Sequence, residues 1–217
     1  MFIISLKTEA AGSSADKIGR VELSDGSLFS FRNSYLPQEI VNTFLTNDEI
    51  TNREITAVEE AAFRRASACL RAEKTALRLI ARAEQCINGI SGKLEKRGHE
   101  ADCVKAVIER LCSLQLLDDA RFARLWIESR LRLPRSPRRL LIALCSRGIG
   151  REDAETALKN ILDDEAEYTL LLRFAKKLSR KKKNLNESDN RTFKYLLKNE
   201  GFSSMAIQRF FEHSPNT

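Results

Sequence analysis

A pattern that occurs three times constrains the fold of this chain more than any other feature. In the segments 94–108, 144–158 and 197–211, a leucine precedes a glycine by four residues, and apolar residues follow that glycine at six, nine and ten positions. A leucine, a glycine and then a new helical pattern are typical of a helix that ends at a left-handed glycine. Three copies of the pattern predict a tandem array of helices.

The glycines of this pattern, Gly98, Gly148 and Gly201, are 50 and 53 residues apart. We therefore predict a mainly α fold, in which three repeats of three helices form an elongated, curved array. Such arrays usually present a long surface to a large partner. The predicted boundaries are 54–110 for the first repeat, 111–163 for the second and 164–217 for the third.

The first 53 residues have a different character, with short apolar runs that alternate with polar residues. Asp25-Gly26 stands between two such runs, and this dipeptide is a strong signal for a β-hairpin. We predict a β-hairpin or three-stranded element over this leader, followed by a short helix after Pro37. Because so small a sheet is marginally stable by itself, we expect it to pack on the helices that follow.

Composition limits the class of protein. The net charge of +7 and the pI of about 9.3 favour an acidic partner, such as single- or double-stranded DNA. Five cysteines without a C-x-x-C motif indicate reduced thiols in a cytoplasmic protein. No apolar run approaches the roughly 20 residues of a membrane span. We expect a cytoplasmic monomer that needs no cofactor and does not enter the membrane.

Two basic clusters, 130–139 and 173–183, contain no acidic residue. Either cluster could be an ordinary solvated face, but both fall at helix ends or loops of consecutive repeats. Arginine pairs in a bidentate way with phosphate or carboxylate. The segment 176–190 is predicted to be a charged loop. The candidate residues for partner or DNA binding are Arg130, Arg132, Arg135, Arg138, Arg139, Arg147, Lys176, Lys177 and Arg180.

The string 116–130 carries the adjacent carboxylates Asp118 and Asp119. One interpretation is that one of them caps a helix whose buried face carries Phe122 and Trp126. The alternative is a catalytic or metal-binding pair, which would need further ligands that the sequence does not supply. Without a nucleotide-binding or nucleophile motif either, we expect no metal, no ATP site and no enzymatic activity.

Helix starts can also be located before the glycine pattern. Ser136-Pro137 predicts an N-cap serine with proline in the first turn. Cys86 stands at the matching position of the first repeat, where Asn88 is the alternative cap. His99 and Cys103 lie four residues apart, but one such pair is weak evidence for zinc, and a buried thiol is expected.

The string around the second glycine includes Leu117, Asp118, Asp119, Ala120, Arg121, Phe122, Ala123, Arg130, Pro137, Arg139, Leu140, Leu144, Arg147, Gly148 and Ile149. In these residues and their spacing, the chain resembles the RecX family of bacterial recombinase regulators. The match runs without a gap over about 32 residues and extends more loosely over roughly 65–212. Cys86, Gly89-Ile90, Leu133-Pro134 and Ser136 depart from the usual family residues.

This resemblance implies a fold of three three-helix repeats and a function. Members of the family bind the RecA–single-stranded DNA filament and usually suppress its ATPase, strand exchange and co-protease activities. They thereby affect DNA recombination, repair and the SOS response, and they are not enzymes. The signature residues Asp118, Asp119, Arg121, Phe122 and Gly148 are expected to be mainly structural.

Two alternatives remain open from the sequence. The helix, glycine turn and helix of each repeat also outline a helix-turn-helix transcription regulator, although the helix at 151–160 is too acidic to suit DNA. The other alternative is a metal-dependent nuclease that uses Asp118 and Asp119.

Overall fold

The computed structural model describes residues 1–9, 16–45, 52–181 and 190–213. Within them the fold is mainly helical, as predicted, with an N-terminal three-stranded sheet. The strands are β1 (Ile3–Glu9), β2 (Ile18–Leu23) and β3 (Leu28–Arg32). The helices are α1 (Gln38–Leu45), α2 (Ala57–Ile80), α3 (Ile87–Glu95), α4 (Ala101–Ser113), α5 (Asp119–Arg130), α6 (Pro137–Cys145), α7 (Arg151–Ile161), α8 (Asp164–Lys181), α9 (Asn190–Asn199) and α10 (Ser204–His213).

The described chain forms two compact units. The first comprises Met1–Glu84 and Ile90–Leu117, and the second comprises Gln85–Gly89 and Asp118–Thr217. The four-part division into a leader and three repeats stays a prediction.

The sheet of the first unit is antiparallel, in the order β1-β2-β3. Its second hairpin turns at Asp25-Gly26, as predicted, and Gly26 has a φ of +82°. The Asp25 carboxylate accepts a 2.9 Å hydrogen bond from the Ser27 N–H, which fixes the turn and lowers the pKa of Asp25. Glycine is favoured here because a left-handed φ costs it little.

Aromatic packing joins the sheet to the helices of the first unit. Phe63 of α2 is fully buried, and its ring centroid lies 5.1 Å from that of Phe31 in β3 and 5.4 Å from that of Phe44 in α1. Helix α2 begins with a capping box, in which Thr56 and Glu59 each bind the backbone N–H of the other. The leader therefore packs on the helices, as expected for so small a sheet.

A buried ionic cluster, here called the Glu73 network, reinforces this packing. Glu73 of α2 is only 2% exposed, and its carboxylate lies 2.9 Å from Arg32 Nε and 3.5 Å from Arg110 Nε. Both arginines also pair with Asp16, which precedes β2. The network connects the sheet, α2 and α4 through charges that would be costly to bury without partners.

The repeated glycine pattern has one structural cause. Gly98, Gly148 and Gly201 have φ values of +79°, +87° and +88° and end α3, α6 and α9. In each turn, the residue after the glycine donates a backbone hydrogen bond to the leucine four residues before the glycine, which defines a Schellman motif. These bonds are His99 to Leu94 (3.2 Å), Ile149 to Leu144 (3.3 Å) and Phe202 to Leu197 (3.2 Å).

The core of the second unit lies among α5–α10. Ile127, Leu140, Leu144, Leu171 and Leu197 are fully buried there. Helix α8 continues to Lys181 and α9 begins at Asn190, so the predicted loop over 176–190 is wrong for its first six residues and its last one. Apolar residues three to four positions apart in α8, from Leu170 to Leu178, pack against the core, and this helical period extends into the basic segment. The rest of that predicted loop, 182–189, lies outside the described residues.

Candidate interaction surface

Asp118 caps α5, which confirms the structural interpretation of the signature string. Its carboxylate accepts a 2.9 Å hydrogen bond from the Arg121 N–H, and its backbone is extended, as N-caps require. One face of α5 then turns inward, with Trp126 9% exposed and Phe122 half-buried against the core. The predicted inward face of this helix is therefore confirmed.

Asp119 acts on a different helix. Its carboxylate accepts a 2.8 Å hydrogen bond from the N–H of Ile87, the first residue of α3. Burial raises the pKa of Asp119, and the nearby carboxylates of Asp118 and Asp153 raise it further, while the Ile87 hydrogen bond opposes them. The start of α3 is thus capped from a distance. The alternative cap Asn88 instead donates its amide to the Arg147 carbonyl, 3.2 Å away.

A groove of about 340 Å³ lies between α5 and α7. Its lining mixes the carboxylates of Asp118 and Asp153 with the guanidinium groups of Arg121 and Arg124. No three His, Cys, Asp or Glu side chains converge on a possible metal site within the described ranges 1–9, 16–45, 52–181 and 190–213. Both aspartates of the signature have structural partners, so the geometry does not assemble the metal-dependent pair.

Two of the predicted binding arginines flank the single tryptophan of the chain. The Cζ atom of Arg130 lies 5.3 Å from the Trp126 ring centroid, and that of Arg147 lies 4.7 Å from it. Arg147 also donates a 2.5 Å hydrogen bond to the Ala143 carbonyl. Cation–π contacts of this kind contribute about 0.5–1 kcal/mol each at exposed sites. The structure therefore brings Arg130 and Arg147 together around one aromatic ring.

The second basic cluster approaches the first through Arg173 of α8. Its Nη1 donates a 2.7 Å hydrogen bond to the carbonyl of Leu131, the residue that ends α5. Exposed Lys176 and Lys177 follow Arg173 by about one helical turn on the same helix, and exposed Arg132 follows Leu131 directly. Arg173 lies in the predicted basic cluster but was not among the predicted binding residues. Its bond to Leu131 is a tertiary contact, which the sequence does not reveal.

Arg138 and Arg139 are exposed but bind the end of α9. The Arg138 backbone N–H donates to the Glu200 carbonyl (3.0 Å), and its Nη1 donates to the Asn199 carbonyl (3.2 Å). Arg139 Nε lies 3.4 Å from the Glu200 carboxylate. These two arginines therefore have a structural role inside the second unit, in addition to any contact with a partner.

The remaining predicted residues differ in how far the structure describes them. Arg135 is half-buried in the loop before α6, and Ser136 caps that helix by accepting from the Arg139 N–H at 3.4 Å, as predicted. Arg180 lies in α8, but its side chain is outside the described part. We define the basic surface as Arg130, Arg132, Arg135, Arg147, Arg173, Lys176 and Lys177.

The fold defines a class: a mainly helical protein with an N-terminal three-stranded sheet and a basic surface on its second unit. No helix of the described chain has the length and apolar character needed to cross a bilayer. Comparison with known proteins identifies the class more closely. Residues 118–158 match the family model described as RecX, second three-helix domain.

Curated relatives and solved structures agree with this match. The chain is 41% identical over 114 residues to the regulatory protein RecX of Treponema pallidum (strain Nichols). These residues cover 52% of this chain and 70% of that protein. It is 36% identical over 89 residues to regulatory protein RecX of Halorhodospira halophila, covering 41% of this chain and 53% of the relative.

Two crystal structures share the fold. One of a regulatory protein RecX has a TM-score of 0.68 at 20% identity, over 98% of this chain and 99% of the other. RecX from Lactobacillus salivarius has a TM-score of 0.57 at 21% identity, over 68% of this chain and 96% of the other. The chain belongs to the RecX family.

Proposed function

We propose that this protein binds the RecA–single-stranded DNA filament and inhibits its ATPase, strand-exchange and co-protease activities. Membership of a family whose members are named regulatory proteins supports a regulatory role. The observation that carries the proposal is the basic surface, in which Arg130 and Arg147 lie over Trp126 while Arg173 bonds α8 to the end of α5.

The proposed mechanism is competition within the filament. The cations of the basic surface would bind DNA phosphates or acidic side chains of neighbouring RecA protomers. Binding would then hinder the exchange of DNA and the protomer movements that accompany ATP turnover. The protein would act in the cytoplasm, without catalysis of its own, on recombination, repair and the SOS response.

The direct test is ATP turnover by the cognate RecA on single-stranded DNA, with this protein titrated below one copy per RecA protomer. We expect inhibition at substoichiometric amounts, because one bound copy would affect several protomers. Unchanged turnover, together with no co-sedimentation with filaments, would contradict the proposal.

The role of the basic surface is tested with a charge-reversed variant, Arg132→Glu/Arg135→Glu/Lys176→Glu/Lys177→Glu. Arg138 and Arg139 are left unchanged because they bind the end of α9. A control with the same change in net charge reverses four exposed residues of the first unit, Lys74, Arg78, Lys96 and Lys105. We expect the first variant to lose filament binding and the control to keep it. Equal binding by both variants would exclude this surface.

The alternative, a helix-turn-helix regulator of duplex DNA, would use α7 as its second helix. The first turn of α7 carries exposed Glu152 and Asp153, which would repel phosphates. Sequence-specific binding to duplex DNA that survives an excess of random DNA would favour this alternative over the RecA proposal.

A further inference from the structure

Two cysteine thiols face each other inside the first unit. The Sγ atoms of Cys69 in α2 and Cys103 in α4 are 2.7 Å apart, and the two residues are 0% and 1% exposed. A disulfide requires an S–S bond of about 2.05 Å, so a small movement of either side chain would bring the sulfurs to bonding distance. Neither cysteine belongs to the basic surface of the second unit.

We propose that Cys69 and Cys103 are a modification site, where a small peroxide oxidises the two thiols to a reversible disulfide between α2 and α4. The remaining cysteines are Cys86, which lies in the second unit, half-buried Cys112 and exposed Cys145. Disulfides in reducing compartments are usually transient and often sense redox conditions.

The reaction balances with hydrogen peroxide as the oxidant. One thiolate attacks a peroxide oxygen, the O–O bond breaks, and a sulfenic acid and one water form. The second sulfur attacks the sulfenic sulfur, the S–S bond forms, and the hydroxyl group leaves as a second water. The two thiols lose two electrons and two protons in total, and the peroxide gains both. A thiol reductant reverses the reaction by exchange.

The surroundings of the two thiols determine how fast they are oxidised. Burial raises the pKa of the Cys69 thiol to about 12, and its hydrogen bond with Cys103 adds to the rise. Since the thiolate is the nucleophile, we expect oxidation to be slow in the folded protein. A slow site that only a small oxidant can reach would respond to sustained peroxide rather than to brief exposure.

The crosslink would lie on the same helix pair as the Glu73 network. Cys69 precedes Glu73 by one turn of α2, and Cys103 precedes Arg110 by two turns of α4. A disulfide would therefore hold together two helices that already pack through buried charges. We expect the oxidised first unit to unfold at a temperature several degrees higher than the reduced one, because the crosslink restricts the unfolded chain.

The test uses the full chain, incubated for hours in hydrogen peroxide under native conditions and then blocked with a thiol alkylating reagent. Trypsin should release Cys69 in the peptide 66–71 and Cys103 in 98–105, each with a single cysteine. We expect a crosslinked 66–71/98–105 species that has lost two hydrogen atoms and disappears on reduction. A Cys86→Ser/Cys112→Ser/Cys145→Ser variant should still form it.

Two controls make the result decisive. Cys103→Ala should abolish the crosslink and the gain in unfolding temperature together, whereas Cys112→Ala should leave both intact. If Cys69 and Cys103 are still recovered as free thiols after equilibration in an oxidising glutathione buffer that oxidises Cys145, the pair is only a packed contact. That outcome would overturn the proposal, and it would not bear on RecA binding.

Discussion

Asp119 caps a helix that begins 32 residues before it, because its carboxylate accepts a 2.8 Å hydrogen bond from the Ile87 N–H. The neighbouring Asp118 caps its own helix through the Arg121 N–H. Two adjacent carboxylates that resemble a catalytic pair therefore stabilise two different helix starts. A helix N-terminus has unsatisfied N–H groups and a partial positive charge, and an acidic side chain satisfies both.

Two substitutions of Asp119 separate the contribution of its hydrogen bond from the contribution of its charge. We expect Asp119→Ala to lower the free energy of unfolding by about 1 kcal/mol, the usual effect of losing a cap. Asp119→Asn should lose much less at neutral pH, because the amide oxygen still accepts from Ile87. Urea unfolding followed by the fluorescence of Trp126, which lies in the same unit, measures both changes.

The raised pKa of Asp119 also predicts a pH dependence. The carboxyl group of Asp119 keeps its proton to a higher pH in the folded protein than in the unfolded chain, where its pKa has the ordinary value of 3.8. The folded state thus binds more protons just above pH 3.8, so this group's contribution to stability falls as pH rises through that range. Relative to Asp119→Asn, the wild type should lose stability with rising pH. A constant difference between the two proteins would contradict this prediction.

Two glycines with the same backbone conformation should differ in their tolerance of alanine. A Cβ at Gly98 would meet no atom within 4 Å, whereas a Cβ at Gly148 would lie 2.6 Å from Asn88 Cβ. Gly98→Ala should cost about 1–2 kcal/mol for the left-handed backbone alone. Gly148→Ala should cost more, because the backbone must also move. Urea unfolding followed by circular dichroism compares them, and equal losses would show that Asn88 yields easily.

The Glu73 network predicts a large effect from a small change. Glu73→Gln keeps the size of the side chain but leaves Asp16 as the remaining carboxylate partner of Arg32 and Arg110 in the network, and we expect a loss of about 3 kcal/mol. The control on the same helix is Glu60→Gln, whose partner Arg64 is 68% exposed, and its loss should not exceed about 0.5 kcal/mol. Thermal unfolding at low and high salt measures both, and comparable losses would contradict a structural role for the network.

The end of α4 offers a stabilising substitution. Gln115 has a φ of +56° and occupies the position that glycine holds in the three repeated turns, with the Leu116 N–H donating to the Leu111 carbonyl at 2.9 Å. Gln115→Gly should raise the free energy of unfolding by up to about 1 kcal/mol, since glycine avoids the steric cost. Gln115→Ala should give no such gain. A lower stability of the glycine variant would show that the side-chain contacts of Gln115 outweigh the strain.

Local signals in the sequence determined much of this protein. The leucine and glycine spacing predicts three helix ends, because the acceptor carbonyl and the left-handed residue are only four positions apart. Asp25-Gly26 and Ser136-Pro137 likewise specify a hairpin and a helix start within a few residues. The family was recognisable for the same reason, since the signature at 117–123 and the turn at 147–149 lie at a fixed spacing within one match of about 32 residues that contains no gap.

The tertiary structure decided what lies far apart in the sequence. The Glu73 network, the cap of Ile87 by Asp119 and the pairing of Cys69 with Cys103 each join residues more than 30 positions apart. The same is true of Arg173, which brings the second basic cluster to the end of α5. Charge, hydrogen bonding and burial act through distance in space, and no local pattern of residue types encodes that distance.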